Sequence, residues 1–344
     1  MICKVAIHQR IGSFSDRWVN YCCENNVNYI IVDCHSSDII KILIKNKITH
    51  LLWHVNHGNY TDLRTFSYVL NAADNIGIKT FPNYHTRWHF DDKIAQKYLL
   101  ESKEVPLVPS YVYYEKDKAI NFVKSNSFPF VFKLRRGAGA VNVKLINSIN
   151  EGLKYVDLMF SEGISTVENK TSRIKKYFKL VKTIKKPFLL LKKIKNRIKI
   201  TNEQARIVPP EKGYFYTQDF LKKNDFDTRV IVIGNKAFAI KRFNRKNDFR
   251  ASGSGVISYD NNEIDLNMLK IAFETSKKLK FQCIAYDFAY NNKQPQIIEV
   301  CFGFSMLAYD KCPGYWNNKI EFIKTKFNPQ YWMIEQLLKA SKNE

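Results

Sequence analysis

A chain of 344 residues, 45% of them hydrophobic and 25% charged, can bury a full core and divide into two or three subdomains. Its opening, MICKVAIHQR, has too short an apolar run for a secretory signal, and no stretch approaches the roughly 18 apolar residues of a membrane span, so the expected compartment is the cytoplasm. Seven cysteines without a CxxC pair argue against a disulfide framework and a zinc ribbon. The net charge of +23 is unevenly spread: thirteen Lys and Arg and no acid lie from Lys170 to Lys199, over half of the basic excess.

The first 82 residues alternate short apolar runs (KVAIH, NYIIVDC, THLLWHV, IKTF) with helix-like segments near 15–25, 37–46 and 62–76. That rhythm predicts a parallel α/β domain over residues 1–85 whose functional residues follow the strands. Asp33, Trp53 and His54 stand at such ends, and all seven histidines fall in the first 90 residues. DDKIAQKYLLESKE then reads as a helix and PLVPSYVYY as a strand, while SFPFVFKLRRGAGAVNVKLI reads as strand, loop, strand and INEGLKYVDLMF as a helix. Beyond the basic segment come YFYTQDFL, a hairpin TRVIVIGNKAFAIKRF turning at Gly234-Asn235, the helix DLNMLKIAFETSKKLK, the strands IAYDFAY and QIIEVC, and a final helix in NPQYWMIEQLLKAS. The expected boundaries are 1–85, 86–215 with a basic insertion at 169–202, and 216–344.

Four groups of residues could carry chemistry. Lys133 ends a strand before the small-residue loop Gly137-Ala138-Gly139, where backbone N–H groups can approach phosphate closely; an ordinary hairpin is an equal reading. The strand ending at Gln218 and Asp219 could offer backbone to an adenine edge, or be core. Asp287 and Glu299 lie in apolar strands on either side of the short turn NNKQ, so a hairpin brings two carboxylates together. Their burial needs compensation, by magnesium or by an arginine or backbone donor. Arg242, Arg250 and the FNRKNDF between them could fork onto phosphate or carboxylate, or form a solvated basic loop.

In this order the pieces resemble the ATP-grasp superfamily over roughly residues 85–306: Asp92-Lys93 opening a helix, Pro129 to Lys133 with its glycine loop, Gln218 to Leu221, Asp227-x-Arg229, Gly234, Arg242, Asn247 to Arg250, Asp287 and Glu299. The spacing from Gln218 to Arg250 looks most like ribosomal-protein glutamate ligases and more distantly like D-alanyl-D-alanine ligase. The tail, with CPGYW and FNPQYWMIEQL, looks like ATP-grasp proteins of bacterial surface-polysaccharide clusters.

The resemblance implies an N-terminal α/β domain followed by two subdomains clasping ATP, and an ADP-forming carboxylate-amine ligase that uses ATP and two magnesium ions. Lys93, Lys133 and the 137–141 loop would meet the ATP phosphates; Gln218, Asp219, Phe220 and Leu221 the adenine; and Asp227 the ribose. Asp287 and Glu299 would match magnesium ligands. Arg242 would steady the acyl phosphate, with Arg250 and Arg229 as further catalytic cations. The family commonly has Glu-x-Asn where this chain has Glu299-Val300-Cys301, so a water would replace one neutral oxygen ligand. Asp33, Trp53, His54 and His57 would face the substrate, with Trp53 suited to stack on a sugar.

The expected substrates are a carboxylate, of uronic-acid type or from a surface-polysaccharide precursor, and an amine. An amino-acid or peptide ligase and a non-catalytic ATP-binding scaffold are the alternatives. The basic segment mixes lysines with apolar residues as a contact for an anionic membrane face would, or is a plain insertion; nucleic acid ranks third.

Overall fold

Four short parallel strands, each followed by a helix, begin the fold. They are β1 (Val5–His8), α1 (Phe14–Glu24), β2 (Tyr29–Val32), α2 (Ile39–Lys45), β3 (His50–Trp53), α3 (Tyr60–Asn75) and β4 (Lys79–Phe81), in the order β2-β1-β3-β4. Residues 3–137, 142–166, 207–245, 248–251 and 253–339 are described, from a computed structural model. Ala138, Gly139 and the basic run 170–199 lie outside them. Side-chain caps start the helices: Ser13 accepts from Ser15 N–H before α1, and Asn59 accepts from Thr61 N–H before α3. His8 lies in register with both Val32 and Trp53, so the three strands end together. Helices α4 (Tyr84–Arg87) and α5 (Lys93–Glu101) follow.

Residues 109–220 form a separate compact unit. It contains β5 (Ser110–Tyr113), α6 (Lys116–Ser125), β6 (Phe130–Lys133), β7 (Val143–Ile146), α7 (Ile149–Phe160) and β8 (Phe215–Asp219), with the antiparallel order β5-β8-β6-β7. Phe132 stacks on Phe215 in its core, and Val123 of α6 packs on α7. A Cβ at Gly152 would lie 2.6 Å from Val123 Cγ1. Gly152→Ala is therefore expected to cost about 1–3 kcal/mol through overpacking, read as an earlier urea midpoint; an unchanged midpoint would show that the two helices can part at no cost.

The rest of the chain joins the first 108 residues in the other unit. It runs β9 (Phe226–Ile233), β10 (Lys236–Phe243), β11 (Ile257–Ser258), α8 (Leu266–Lys278), β12 (Cys283–Asn291), β13 (Gln294–Cys301), α9 (Met306–Tyr309), β14 (Tyr315–Asn317), β15 (Phe322–Ile323) and α10 (Pro329–Lys339). The sheet order is β13-β12-β9-β10-β14-β15, with β11 on β10. The β9–β10 hairpin turns at Gly234 with φ +59°, a conformation glycine adopts without penalty. Two apolar clusters bind this sheet to the parallel one: Leu51 and Leu70 share a core with Val230 and Ile284, and Phe14 and Trp18 share another with Ile231 and Phe238.

Candidate active site

Strand alternation places the ionic residues. Ile233, Ile231, Cys283, Ala285, Phe238 and Ile240 lie on one buried face of the antiparallel sheet, and the same face turns ionic at the strand ends. Asp287 pairs directly with Glu299 on one side and with Arg229 on the other, giving a cross-strand row Arg229, Asp287, Glu299. A bulge after Asp287 breaks the β12–β13 register there, a feature that re-aims side chains at sheet edges.

Arg229 forks onto both oxygens of Asp287, with Nη2 2.5 Å from Oδ2. Arg242 forks onto Asp227 at 2.6 and 2.7 Å, and its Nη2 also lies 3.0 Å from Asp287 Oδ1. Tyr309, which the sequence pattern did not single out, is buried beside this cluster: burial pushes its hydroxyl up to about 12, with Arg229 and Arg242 acting against the rise. Burial opposes the charge on Asp287, but the two guanidiniums outweigh it and hold the carboxyl well below its ordinary range. Burial likewise works against Arg229, and Asp287 outweighs it, raising the guanidinium further. Of the two expected ways to compensate Asp287, the arginine one is present. Asp227, expected at a ribose, is engaged by Arg242.

Glu299 is about a third exposed, and its Oε1 lies 3.6 Å from Lys93 Nζ. Lys93 is buried at the start of α5, where the Asp92 carboxylate accepts from Ile94 and Ala95 N–H. Gln96 Oε1 accepts from Val300 N–H at 3.3 Å, which fixes α5 against β13. Cys301 Sγ accepts from Gly303 N–H and lies 3.6 Å from His57 Nε2. Burial pushes the Cys301 thiol up to about 12, which keeps it protonated at neutral pH, and its soft sulfur is a poor match for a hard cation. His57 is pushed down to about 4 by burial, then by Lys93 and Arg229, and is uncharged at neutral pH. The facing carboxylates of Asp287 and Glu299 supply hard oxygens that fit magnesium; Cys301 does not add a third.

In the unit of residues 109–220, Lys133 Nζ donates to Gln218 Oε1 at 2.5 Å, and Gln218 Nε2 to Ser110 Oγ at 3.0 Å, all three buried. Burial raises the Asp219 carboxyl. The unit boundary falls between Phe220 and Leu221. Gly137 has φ +106°, so it needs a glycine. Arg135 and Arg136 before it face the buried Glu211, at 3.2 and 3.8 Å, an anchor not anticipated from the sequence. Arg250 is bonded to Asp248 at 2.7 Å.

The residues expected to face substrate differ among themselves. Trp53 is fully buried against His8 and His35, which corrects its assignment to sugar stacking: the ring at the end of β3 is core. His54 is stacked on Phe14 at 3.6 Å, and its Nδ1 accepts from Phe14 N–H. Asp33 is exposed and accepts from His35 N–H at 3.0 Å.

No family model and no curated protein sequence matches the chain. Solved structures do. The biotin carboxylase domain of Hydrogenobacter thermophilus 2-oxoglutarate carboxylase, bound to MgADP, ADP and bicarbonate, matches with a TM-score of 0.58 at 11% identity, over 98% of this chain and 70% of that one. The RimK-domain ATP-grasp protein of Sphaerobacter thermophilus gives 0.55 at 11% identity, over 98% and 100%. The D-alanine–D-alanine ligase of Bacillus anthracis gives 0.52 at 14% identity, over 100% and 99%. Three differently named proteins thus share one architecture with this chain along almost its whole length, and that architecture is the ATP-grasp fold.

Proposed function

We propose that the protein is an ATP- and magnesium-dependent carboxylate-amine ligase. The observation that carries this reading is the row Arg229, Asp287, Glu299, with Arg242 and Lys93 beside it, at the strand ends of an ATP-grasp sheet. The named ligase and the MgADP-bound carboxylase of the same fold support it.

In the proposed reaction a substrate carboxylate oxygen bonds to the γ-phosphorus as the bond to the bridging oxygen of ADP breaks, giving an acyl phosphate. An amine nitrogen then attacks the acyl carbon, phosphate leaves, and the nitrogen loses a proton. Magnesium held by Glu299 and Asp287 would neutralise charge on the phosphates. Lys93, close to Glu299, adds a compact cation to that edge. Lys133, Gln218, Asp219, Phe220, Leu221 and Asp227 are assigned to ATP. Arg242 has five N–H donors, and its fork onto Asp227 leaves others for a developing oxyanion. Arg229 holds Asp287 in place, and Arg250 is assigned to substrate. Arg242→Ala is expected to lower kcat about 100- to 1,000-fold; a loss of less than a few-fold would remove it from the chemistry.

For the acid we propose a uronic-acid-type sugar or related surface-polysaccharide precursor, a choice that rests on the resemblance of the tail. The test is ADP and phosphate release with MgATP across uronic acids and amino acids paired with ammonia, amino alcohols and amino acids, with mass spectrometry of the product. Release that requires both partners and yields the condensed mass supports the ligase; turnover with amino acids as the acid would replace the sugar reading, and ATP binding with no turnover in any pairing would overturn the enzyme. No helix among the described residues is long and apolar enough to cross a membrane. We propose peripheral contact of the basic run 170–199 with anionic lipid. Flotation with anionic vesicles should then weaken on deleting that run, and equal flotation would remove the idea.

A further inference from the structure

The carboxyl ends of the three neighbouring strands β2, β1 and β3 bring together groups that the ligase reading does not use. His8 is the last residue of β1, His35 lies in the loop after β2, and Asp62 is in the first turn of α3, which follows β3. One ligand atom from each lies within 4.8 Å of the others. His35 Nε2 is 3.0 Å from Asp62 Oδ1, while Asp62 Oδ2 accepts from Asn56 N–H at 2.8 Å, so the carboxylate is buried with one oxygen anchored and the other facing the imidazole. Asp33 Oδ1 lies 3.5 Å from His35 Nδ1 and 3.8 Å from His8 Nδ1.

We propose that His8, His35 and Asp62 form a binding site for a zinc-class divalent cation, with Asp33 orienting both imidazoles. Two imidazoles and a carboxylate suit zinc and its first-row neighbours, whereas magnesium prefers oxygen alone. Metal-bound histidines commonly donate their other ring N–H to a carboxylate, and Asp33 Oδ1 is the carboxylate oxygen beside both Nδ1 atoms, at 3.5 Å from His35 and 3.8 Å from His8. Zinc bonds of about 2.0–2.1 Å set tetrahedral ligands about 3.3 Å apart; the His35–Asp62 pair, at 3.0 Å, already stands near that spacing, and no pair has to close by more than about 1.5 Å on loading. The His35 loop, with a quarter of that side chain exposed, is the part free to make this movement and the route of entry. Without metal, Cys34 N–H donates to His8 Nδ1 at 3.0 Å, which leaves the ring proton on Nε2. Loading moves that proton to Nδ1, turns the Cys34 amide away and gives the new N–H to Asp33. Three protein ligands leave a fourth position for a solvent or substrate oxygen.

The test is direct titration of the chelator-stripped full chain with zinc against a zinc-responsive dye, in excess magnesium and without ATP, so it stands apart from the ligase assay. About one zinc per chain is expected. His35→Asn should weaken it by more than about 100-fold, and Asp33→Asn, an exposed change that leaves the fold intact, by about 10- to 100-fold. His85→Asn, an exposed histidine on α4, should leave the affinity unchanged and so controls for casual binding. Absence of a stoichiometric zinc, or an affinity in folded His35→Asn or Asp33→Asn equal to that of His85→Asn, would overturn the site.

Discussion

Asp287→Asn is expected to lower the free energy of unfolding by about 3–5 kcal/mol and to abolish ADP release. The substitution keeps the shape of the side chain and removes its charge, which leaves Arg229 and Arg242 buried beside each other with only Asp227 to balance them. Glu299→Gln separates structure from chemistry: that carboxylate is about a third exposed and its neighbour Lys93 is 3.6 Å away, so its loss should cost about 1 kcal/mol or less while turnover still fails. Replacing Asp287 and Arg229 together by apolar residues of similar volume should recover much of the stability and none of the activity, because the penalty lies in the unpaired charge. Urea unfolding and ADP release on the three variants check this. An Asp287→Asn protein as stable as the parent would show that the guanidiniums do not depend on that carboxylate.

The register set by the NNKQ turn, with Phe288 opposite Ile297, would put Ile298 across from Asp287, and the bulge after Asp287 brings Glu299 there instead. The nearness of the two acids on one hairpin was legible in the sequence, but not their direct pairing. The part played by Arg229 was not legible either. It depends on β9 lying between β10 and β12, and the connection from β10 to β12 carries α8 and many loop residues, so no local pattern sets that order. Trp53 misled for a related reason: a residue at the end of a parallel strand reads as accessible, but His8 and His35, from two other strand ends, cover it. Helix α6 went unread because only Ala119 and Val123 of its ten residues are buried, too thin a stripe to stand out. The His8, His35 and Asp62 cluster could be assembled only once the strand order was known. A histidine closing KVAIH was its one visible sign.

Acidification from pH 7 to 5 is expected to destabilise the fold steeply, chiefly through its buried histidines. Burial pushes His50, His57 and His89 down to about 4 and His54 well below its ordinary value, so all four are neutral in the folded protein. In the unfolded chain each takes a proton near pH 6.5. A depressed folded pKa contributes stability that is complete above the unfolded value and is lost as pH falls toward the folded one, which places the window between about 6.5 and 4. Each such histidine adds up to about 1.4 kcal/mol per pH unit, so three or more give a slope of about 4 kcal/mol per unit, enough to exhaust a typical 5–15 kcal/mol within that window. Asp287, also depressed, acts in the same direction but only below about pH 4, where its unfolded counterpart takes up protons. Asp227, raised by burial, has the opposite sign and offsets a part. Urea midpoints measured from pH 7.5 to 5 should therefore fall continuously, and removing one imidazole, as in His50→Gln, should flatten the slope by about a quarter to a third. A midpoint independent of pH over that range would mean that these histidines are solvated as freely in the folded protein as in the unfolded one.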